Sequence, residues 1–523
     1  MRALSLRISM LTGWRRWALA FVAGAVFSLA QAPFHLVIVG FVCFPLLIWL
    51  LDGVIARDGR MKSGMRQAAG IGWWFGFGYF VAGLWWIANA LLIEAPEFAW
   101  FIPIAVLGLP AILACFYALA CALVWPLWSD SLTRFFALGA AFGLAEWLRS
   151  FVLTGFPWNA IGYTVMPVPL LMQSVTLVGL FGMSALAVTL FGMPAAFSAA
   201  RRSTLVSAVV LAVLFAGGHA GFGVWRLYFE PRQPAAENLN VRLVQPDLDQ
   251  FDKIEQQDPA AQFSDLLTLS TLPSDAPPAD LIIWPETAVP FLLTREPAAL
   301  AAIGDMLLPG QTLITGAVRE EISTAEEGGD PRFFNAIMMV DADGIIQGAS
   351  DKVHLVPFGE YLPLAGFFER LGLRAVAQAD RGYSAASSRR GLQIGGINIV
   401  PLVCYEVIFP HQLIPGDLIL NVTNDAWFGQ TPGPYQHMHQ ARLRAVESGT
   451  PLIRVANNGI SGIFDSHGRA IAWLGYGDRG AVDENVALSS QPSKYGLGQE
   501  YNFWLLLLMM AFISCIGLFR ARG

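Results

Sequence analysis

The chain has 523 residues, of which 55% are hydrophobic and only 14% charged, and its mean hydropathy of +0.51 excludes a protein that is soluble throughout. The charge is unevenly spread: residues 233–500 hold 32 acidic against 17 basic side chains, and the remainder holds 7 against 16. An acidic segment of ordinary composition is therefore set into a basic, apolar part, and with no basic stripe outside the apolar flanks nucleic acid is excluded as a partner.

Residues 1–16 are polar and carry Arg2, Arg7, Arg15 and Arg16. Apolar runs follow at about 17–31, 33–51, 68–94, 100–127, 135–153, 168–198 and 203–224, with an eighth at about 502–519. Most are long enough to cross a bilayer, which takes about 20 helical residues. Eight spans put both termini on one side. One set of loops holds Arg57, Arg60, Lys62, Arg66, Arg134, Arg201, Arg202, Arg520 and Arg522. The opposite set is almost without basic residues, Arg149 being the near exception. The positive-inside rule then places both termini in the cytoplasm and residues 225–501 outside. A cleavable signal peptide ending near Ala30-Gln31-Ala32 is the alternative for the first run, and it leaves the side of the large domain unchanged. Within the fifth run, Glu146 and Arg149 share a helix face ahead of Gly155-Phe156-Pro157-Trp158. Spacing favours an interfacial Trp anchor with a snorkelling Arg, over a loop that shapes access for a lipid headgroup.

From Asn238 the pattern changes to short apolar runs: VRLVQP, LIIWPE, LITGAV, NAIMMVD, INIVPLVC, DLILNVT, LIRVAN, ISGIFD and AIAWL. Helix-like stretches at 258–271, 297–308 and 434–448 lie between them. Strands interleaved with helices predict one layered α/β domain. The predicted organisation is a multi-domain membrane protein: seven spans over 1–224, an extracytoplasmic domain over 225–501, and a last span with a short tail over 502–523. Residues 323–332 read as a solvated turn. The long stretch 363–391, with apolar residues at 364–373, reads either as a surface excursion or as an apolar lid on a membrane.

Of five cysteines, Cys43, Cys115, Cys121 and Cys515 lie in apolar runs as fillers, and Cys404 alone lies in the polar domain. An unpaired Cys in an oxidising compartment is a candidate reactive group. Taken alone, a buried Cys is more often a small core residue. Its place at the end of INIVPLVC, with a helix expected to follow, would favour the thiolate. Two other strand ends present Glu286 and the Lys352/Glu360 pair, and Glu406 follows Cys404. A carboxylate, an ammonium and a thiol make an acyl-transfer set, the carboxylate removing the thiol proton and the ammonium, with a backbone N–H near Tyr405, stabilising an oxyanion. Such a Lys needs carboxylate partners, for which Glu360 and Glu406 are candidates. Each residue also has a bland reading, as a surface salt bridge or a helix cap. Asn421, Asn424 and Asp425 read as turn chemistry, with Trp427 as a pocket wall. His437 and His439 are two apart and point to different helix faces, so no metal site and no cofactor are expected.

WPETAVP around Glu286, DKVHLVPFGEYLP around Lys352, LVCYE around Cys404 and NVTNDAWFGQTPGPYQHMHQARLRAVESGTPLIRVANNGISGIFD together resemble the bacterial apolipoprotein N-acyltransferase family, as does EWLRSFVLTGFPWN in the apolar part. The resemblance spans nearly the whole chain. It implies a nitrilase-like (carbon–nitrogen hydrolase) αββα sandwich on the periplasmic face of the inner membrane, carried by eight helices. It implies acyl transfer from a phospholipid, usually phosphatidylethanolamine, through a thioester on Cys404 to the diacylglyceryl-cysteine of an apolipoprotein. Carried over by motif, Glu286 is the general base, Lys352 the oxyanion stabiliser and Cys404 the nucleophile. Glu360, Tyr405 and Glu406 match supporting positions, and Asn335 a position near the pocket. One departure is that Phe251 stands where the family often has Trp. The readings in competition are a membrane-anchored amidase or nitrilase that uses water, and a non-catalytic transporter or scaffold.

Overall fold

The computed structural model describes residues 1–58, 61–93, 99–198, 202–231, 235–248, 258–322, 331–363, 382–489 and 498–522. The expected lid at 364–373 and Phe251 lie outside the described residues. The chain divides into two compact units, one of Met1–Ala88, Glu94–Pro231 and Lys494–Gly523, the other of Asn89–Ile93 and Arg232–Ser493.

The first unit is helical. Helices Trp14–Phe27, Gly40–Asp58, Met61–Leu84, Ile102–Val124, Thr133–Arg149, Val175–Gly192, Arg202–Val224 and Gln499–Arg522 take up the eight apolar runs. Six segments among the described residues are long and apolar enough to cross a membrane: Val37–Val54, Met61–Leu92, Ala99–Leu127, Val175–Ser198, Arg202–Phe229 and Gln499–Gly517. Eight were expected. Trp14–Phe27 falls short at 14 residues, because the chain tightens into a 3₁₀ turn at Ser28–Ala30. Thr133–Arg149 has 17 residues and carries Arg134, Glu146 and Arg149.

Small residues let these helices approach closely. A Cβ on Gly24 would strike the Phe75 carbonyl, and one on Gly78 the Phe21 carbonyl, so Trp14–Phe27 and Met61–Leu84 pack backbone to backbone. The expectation of a snorkelling Arg149 is corrected. Arg149 and Glu146 are both fully buried and form an ion pair. Tyr117 donates to Glu146 at 2.6 Å, and Arg149 donates to the carbonyls of Phe156 and Trp158, the latter at 2.9 Å. Turned inward, the guanidinium finds the partners that lipid would deny it and fastens the loop that follows its helix.

The second unit holds two six-stranded sheets. Its strands are β1 (Ala235–Gln245), β2 (Leu281–Ile283), β3 (Thr312–Glu321), β4 (Arg332–Asp341), β5 (Ile346–Asp351), β6 (Leu392–Ile394), β7 (Ile397–Val403), β8 (Leu418–Thr423), β9 (Leu452–Ala456), β10 (Ser461–Phe464), β11 (Ala470–Leu474) and β12 (Gly480–Ser489). The orders are β12-β1-β2-β3-β4-β5 and β11-β10-β9-β8-β7-β6. In each sheet two parallel pairings (β1/β2 and β2/β3; β7/β8 and β8/β9) are flanked by antiparallel ones. Parallel strands need both faces covered, and β2 and β8 are buried along their whole length, β8 with Asn421 and Thr423 among its apolar residues. Helices Pro259–Ser270 and Pro297–Met306 cover the first sheet, with Leu266, Ile282, Trp284, Ile303, Leu313 and Met338 in one core. Helix Pro432–Ser448 packs against β9; Thr431 caps its start, accepting from Gly433, and Gly449 ends it at a φ of +69°.

Candidate active site

Strand ends and the turns beyond them assemble the site inside the second unit. β2 runs out into Trp284-Pro285-Glu286, and this arm lies directly on β3. Gly316 N–H donates to the Pro285 carbonyl at 3.1 Å, and a Cβ on Gly316 would overlap Pro285 and Glu286, so only glycine fits there. β4 supplies Asn335. Lys352 follows β5 and is tied by its own N–H to the Asn335 carbonyl at 2.8 Å. β7 supplies Cys404 at its end.

These side chains converge. Asn335 Nδ2 donates to Glu286 Oε1 at 2.8 Å and to Glu360 Oε1 at 2.9 Å. Lys352 Nζ lies 2.9 Å from Glu360 and 3.7 Å from Glu286. It also sits 5.5 Å over the Tyr405 ring, whose hydroxyl donates to the Leu355 carbonyl at 2.7 Å. Glu286 and Lys352 both act electrostatically on Cys404. All seven residues singled out from sequence are buried in this one region.

Glu406 differs from its expected part. It does not pair with Lys352 directly; Arg389 takes it with two bonds of 2.9 Å each. The rest of its acceptor capacity goes to the N–H groups of Val353, His354 and Val403, at 2.9, 3.0 and 2.8 Å. The carboxylate thus buckles the segment carrying Lys352 to the strand carrying Cys404. Burial pushes its carboxyl up, but Arg389 more than offsets this and holds it below the usual range. The direct partners of Lys352 are Glu360 and Glu286. Burial pulls the ammonium down, the two carboxylates outweigh that, and the lysine stays charged.

The helix expected after Cys404 is also corrected. Cys404 is followed by a 3₁₀ turn, Cys404–Ile408, and not by a helix whose dipole would lower its pKa. Burial pushes the thiol well above its ordinary range, the Glu286 charge pushes the same way, and Lys352 only partly opposes them. A shift in this direction favours the neutral thiol, so attack calls for a base at hand. Cys404 holds a φ of +54°, unusual for a residue with a side chain, and Thr287 beside Glu286 holds +43°. Strained backbone of this kind concentrates where a side chain must project from a tight turn.

Behind the sulfur lies a buried polar network that the spacing did not reveal. Arg454 on β9 donates to Asn421 and pairs with Asp425 at 2.5 Å, and Asp425 Oδ1 lies 2.9 Å from His437 Nδ1. Asn421 Nδ2 donates to the carbonyls of Leu402 and Cys404 at 3.1 and 3.0 Å. All four are fully buried. Asn421 and Asp425, read from sequence as turn residues, brace the Cys404 turn instead. Among the described residues no group of His, Cys, Asp and Glu is arranged to hold a metal ion.

The fold is that of a carbon–nitrogen hydrolase domain, and the model of that family matches residues 240–490. The apolipoprotein N-acyltransferase N-terminal domain matches residues 23–193. The apolipoprotein N-acyltransferase of Allorhizobium ampelinum is 49% identical over 99% of each chain, and that of Brucella suis is 48% identical over 98% of this chain and 97% of its own. A carbon–nitrogen hydrolase superfamily protein from Xanthomonas campestris aligns at 20% identity and a TM-score of 0.34, covering 52% of this chain and 97% of that one. The chain belongs to the apolipoprotein N-acyltransferase family.

Proposed function

We propose that this protein N-acylates the amino-terminal diacylglyceryl-cysteine of apolipoproteins, taking the acyl chain from a phospholipid through a thioester on Cys404. The observation that carries the chemistry is the convergence of Glu286, Lys352 and Cys404 from separate strand ends onto one buried point. In the first half-reaction Glu286 removes the thiol proton and the sulfur attacks the ester carbonyl. The Lys352 ammonium stabilises the oxyanion that forms. Collapse expels the glycerol oxygen, which takes the proton from Glu286, and lysophospholipid leaves. In the second, the lipoprotein amine attacks the thioester, Glu286 accepts a proton from it, and the thiol departs reprotonated. Asn335 and Glu360 hold Glu286 and Lys352 in place.

Phosphatidylethanolamine is the proposed donor, and no cofactor is called for. Both substrates are lipids, which fits a domain on the outer face of the inner membrane with both termini in the cytoplasm. The basic loops of the apolar part support that orientation. Trp14–Phe27 and Thr133–Arg149 are proposed as two further spans, making eight. The charged side chains of Thr133–Arg149 need not meet lipid: Arg134 pairs with Asp52 at 2.7 Å, and Glu146 with Arg149. The test is the intact mass of purified protein after incubation with phosphatidylethanolamine. Wild type gains one acyl group and Cys404→Ala gains none; an equal gain on both defeats the assignment. A water-using amidase predicts release of free fatty acid instead of a lasting adduct, and the full-length family match does not favour it.

A further inference from the structure

The mechanism above leaves one problem unsolved. Once Glu286 has taken the proton it is neutral, and the buried thiolate still faces the Asp425 carboxylate, with Lys352 as the opposing charge. A buried anion needs hydrogen-bond donors, and Lys352 is already held by Glu360 at 2.9 Å.

β8 provides one. It runs parallel to β7 with Leu402 opposite Asn421 and Val403 opposite Val422, which brings Thr423 level with Cys404. The Thr423 side chain is fully buried beside it. Its Oγ1 also lies 3.1 Å from Asp425 Oδ1. A hydroxyl carries one proton, so it donates to the carboxylate or to the sulfur, not to both. Beside a neutral thiol, the carboxylate is the stronger acceptor and holds that proton. Beside a thiolate, the balance turns, because Asp425 retains Arg454 at 2.5 Å and His437 at 2.9 Å while the sulfur has acquired a full charge.

We infer that Thr423 is a further catalytic residue whose hydroxyl turns from Asp425 to the Cys404 sulfur as the thiolate forms and stabilises it during attack. The step is a rotation about one bond and makes and breaks no covalent bond. Arg454 and His437 keep Asp425 satisfied in both positions, so the rotation strands no buried charge. This inference rests on Cys404 being the nucleophile.

The test is the rate of Cys404 alkylation by iodoacetamide in the full-length, detergent-solubilised protein, followed by peptide mass spectrometry that separates Cys404 from the other cysteines. Thr423→Val keeps the shape and removes the donor, and Thr423→Ala does so without the branch. Both are expected to alkylate about 10- to 100-fold more slowly than wild type, the range for one hydrogen bond to a charged group. Thr423→Ser is expected to stay within about threefold of wild type. Alkylation of the Val and Ala variants within twofold of wild type overturns the inference, as does a Ser variant as slow as Val. The phospholipid incubation is run beside it. Wild type that gains no acyl group defeats the thioester reading, whereas a normal adduct with Thr423→Val alkylating normally defeats only the role of Thr423.

Discussion

Arg389→Met tests whether the Glu406 buckle holds the site together. Glu406 is fully buried and the Arg389 side chain is 5% exposed, so water screens neither charge. Removing one partner of such a pair costs about 3–5 kcal/mol. In a domain of this size each kcal/mol moves the thermal midpoint by about 2–4 °C, which predicts a loss of about 6–20 °C. The sign with pH follows from Glu406. In the wild type its carboxyl is held below the usual range, so its stabilisation is complete above the unfolded value of about 4.3 and is lost as pH falls through the folded one. In Arg389→Met burial acts with the cation gone and raises the same carboxyl, so the variant loses stability as pH rises. The gap between the two proteins is therefore widest near neutrality and narrows toward pH 5 or so. The assay is thermal unfolding of the full-length protein followed by near-ultraviolet circular dichroism at about pH 7.5 and about pH 5. Adding Glu406→Gln to Arg389→Met should recover part of the loss at neutral pH, since it removes the stranded charge. A midpoint shift under about 2 °C, or an equal deficit at both pH values, refutes the reasoning.

Three further outcomes follow from the same geometry. Glu286→Gln keeps the hydrogen bond from Asn335 but cannot take a proton, and acyl-adduct formation should fall about 10²- to 10⁴-fold in a single-turnover mass assay. Lys352→Met removes the proposed oxyanion partner and should cost about 10²- to 10³-fold in the same assay; Lys352→Arg should not restore the rate, because the buried site has no room for a planar fork. Arg149→Leu strands Glu146 inside the helical unit and should lower the stability of that unit by about 3–5 kcal/mol, read as a drop in its thermal midpoint, while Arg149→Leu with Glu146→Leu should regain part of it.

The strands that can be read from sequence are the short apolar-rich runs from VRLVQP in β1 to AIAWL in β11. β7, β8 and β9 interrupt theirs with Asn398, Asn421 and Arg454, and each still stands where its pattern predicts. β5, β6 and β12 were not visible: IQGASD and LQI are short edge strands, and GAVDENVALS is mostly polar, held by a long antiparallel register with β1 that no local pattern encodes. The three α-helices among the described residues of the acidic domain announce themselves through Asp258 and Thr431 as caps and Pro at their first turns. Within the site, strand ends and motif resemblance pointed to Glu286, Lys352 and Cys404. The partners of those residues were hidden by distance along the chain. Arg389 reaches Glu406 from a Gly/Ser-rich stretch that reads as surface loop. Arg454 meets Asp425 across 29 positions, because the parallel pairing of β8 with β9 sets Arg454 level with Asn421, just ahead of Asp425. The ionisation of Cys404 is hidden for a related reason. Burial, which dominates it, is a property of the packed domain, whereas the strand-end position is visible locally.

The claim on which the account depends is that the sulfur of Cys404 carries the acyl chain between two lipid substrates. Its most direct measurement is a chase. Enzyme loaded with labelled acyl groups is separated from phospholipid and then given a diacylglyceryl-cysteine peptide. The account predicts that label leaves Cys404 and appears in amide linkage on the peptide amine within one turnover, with little free fatty acid. Label that stays on the enzyme, or that appears only as free fatty acid whether or not the peptide is present, would contradict it.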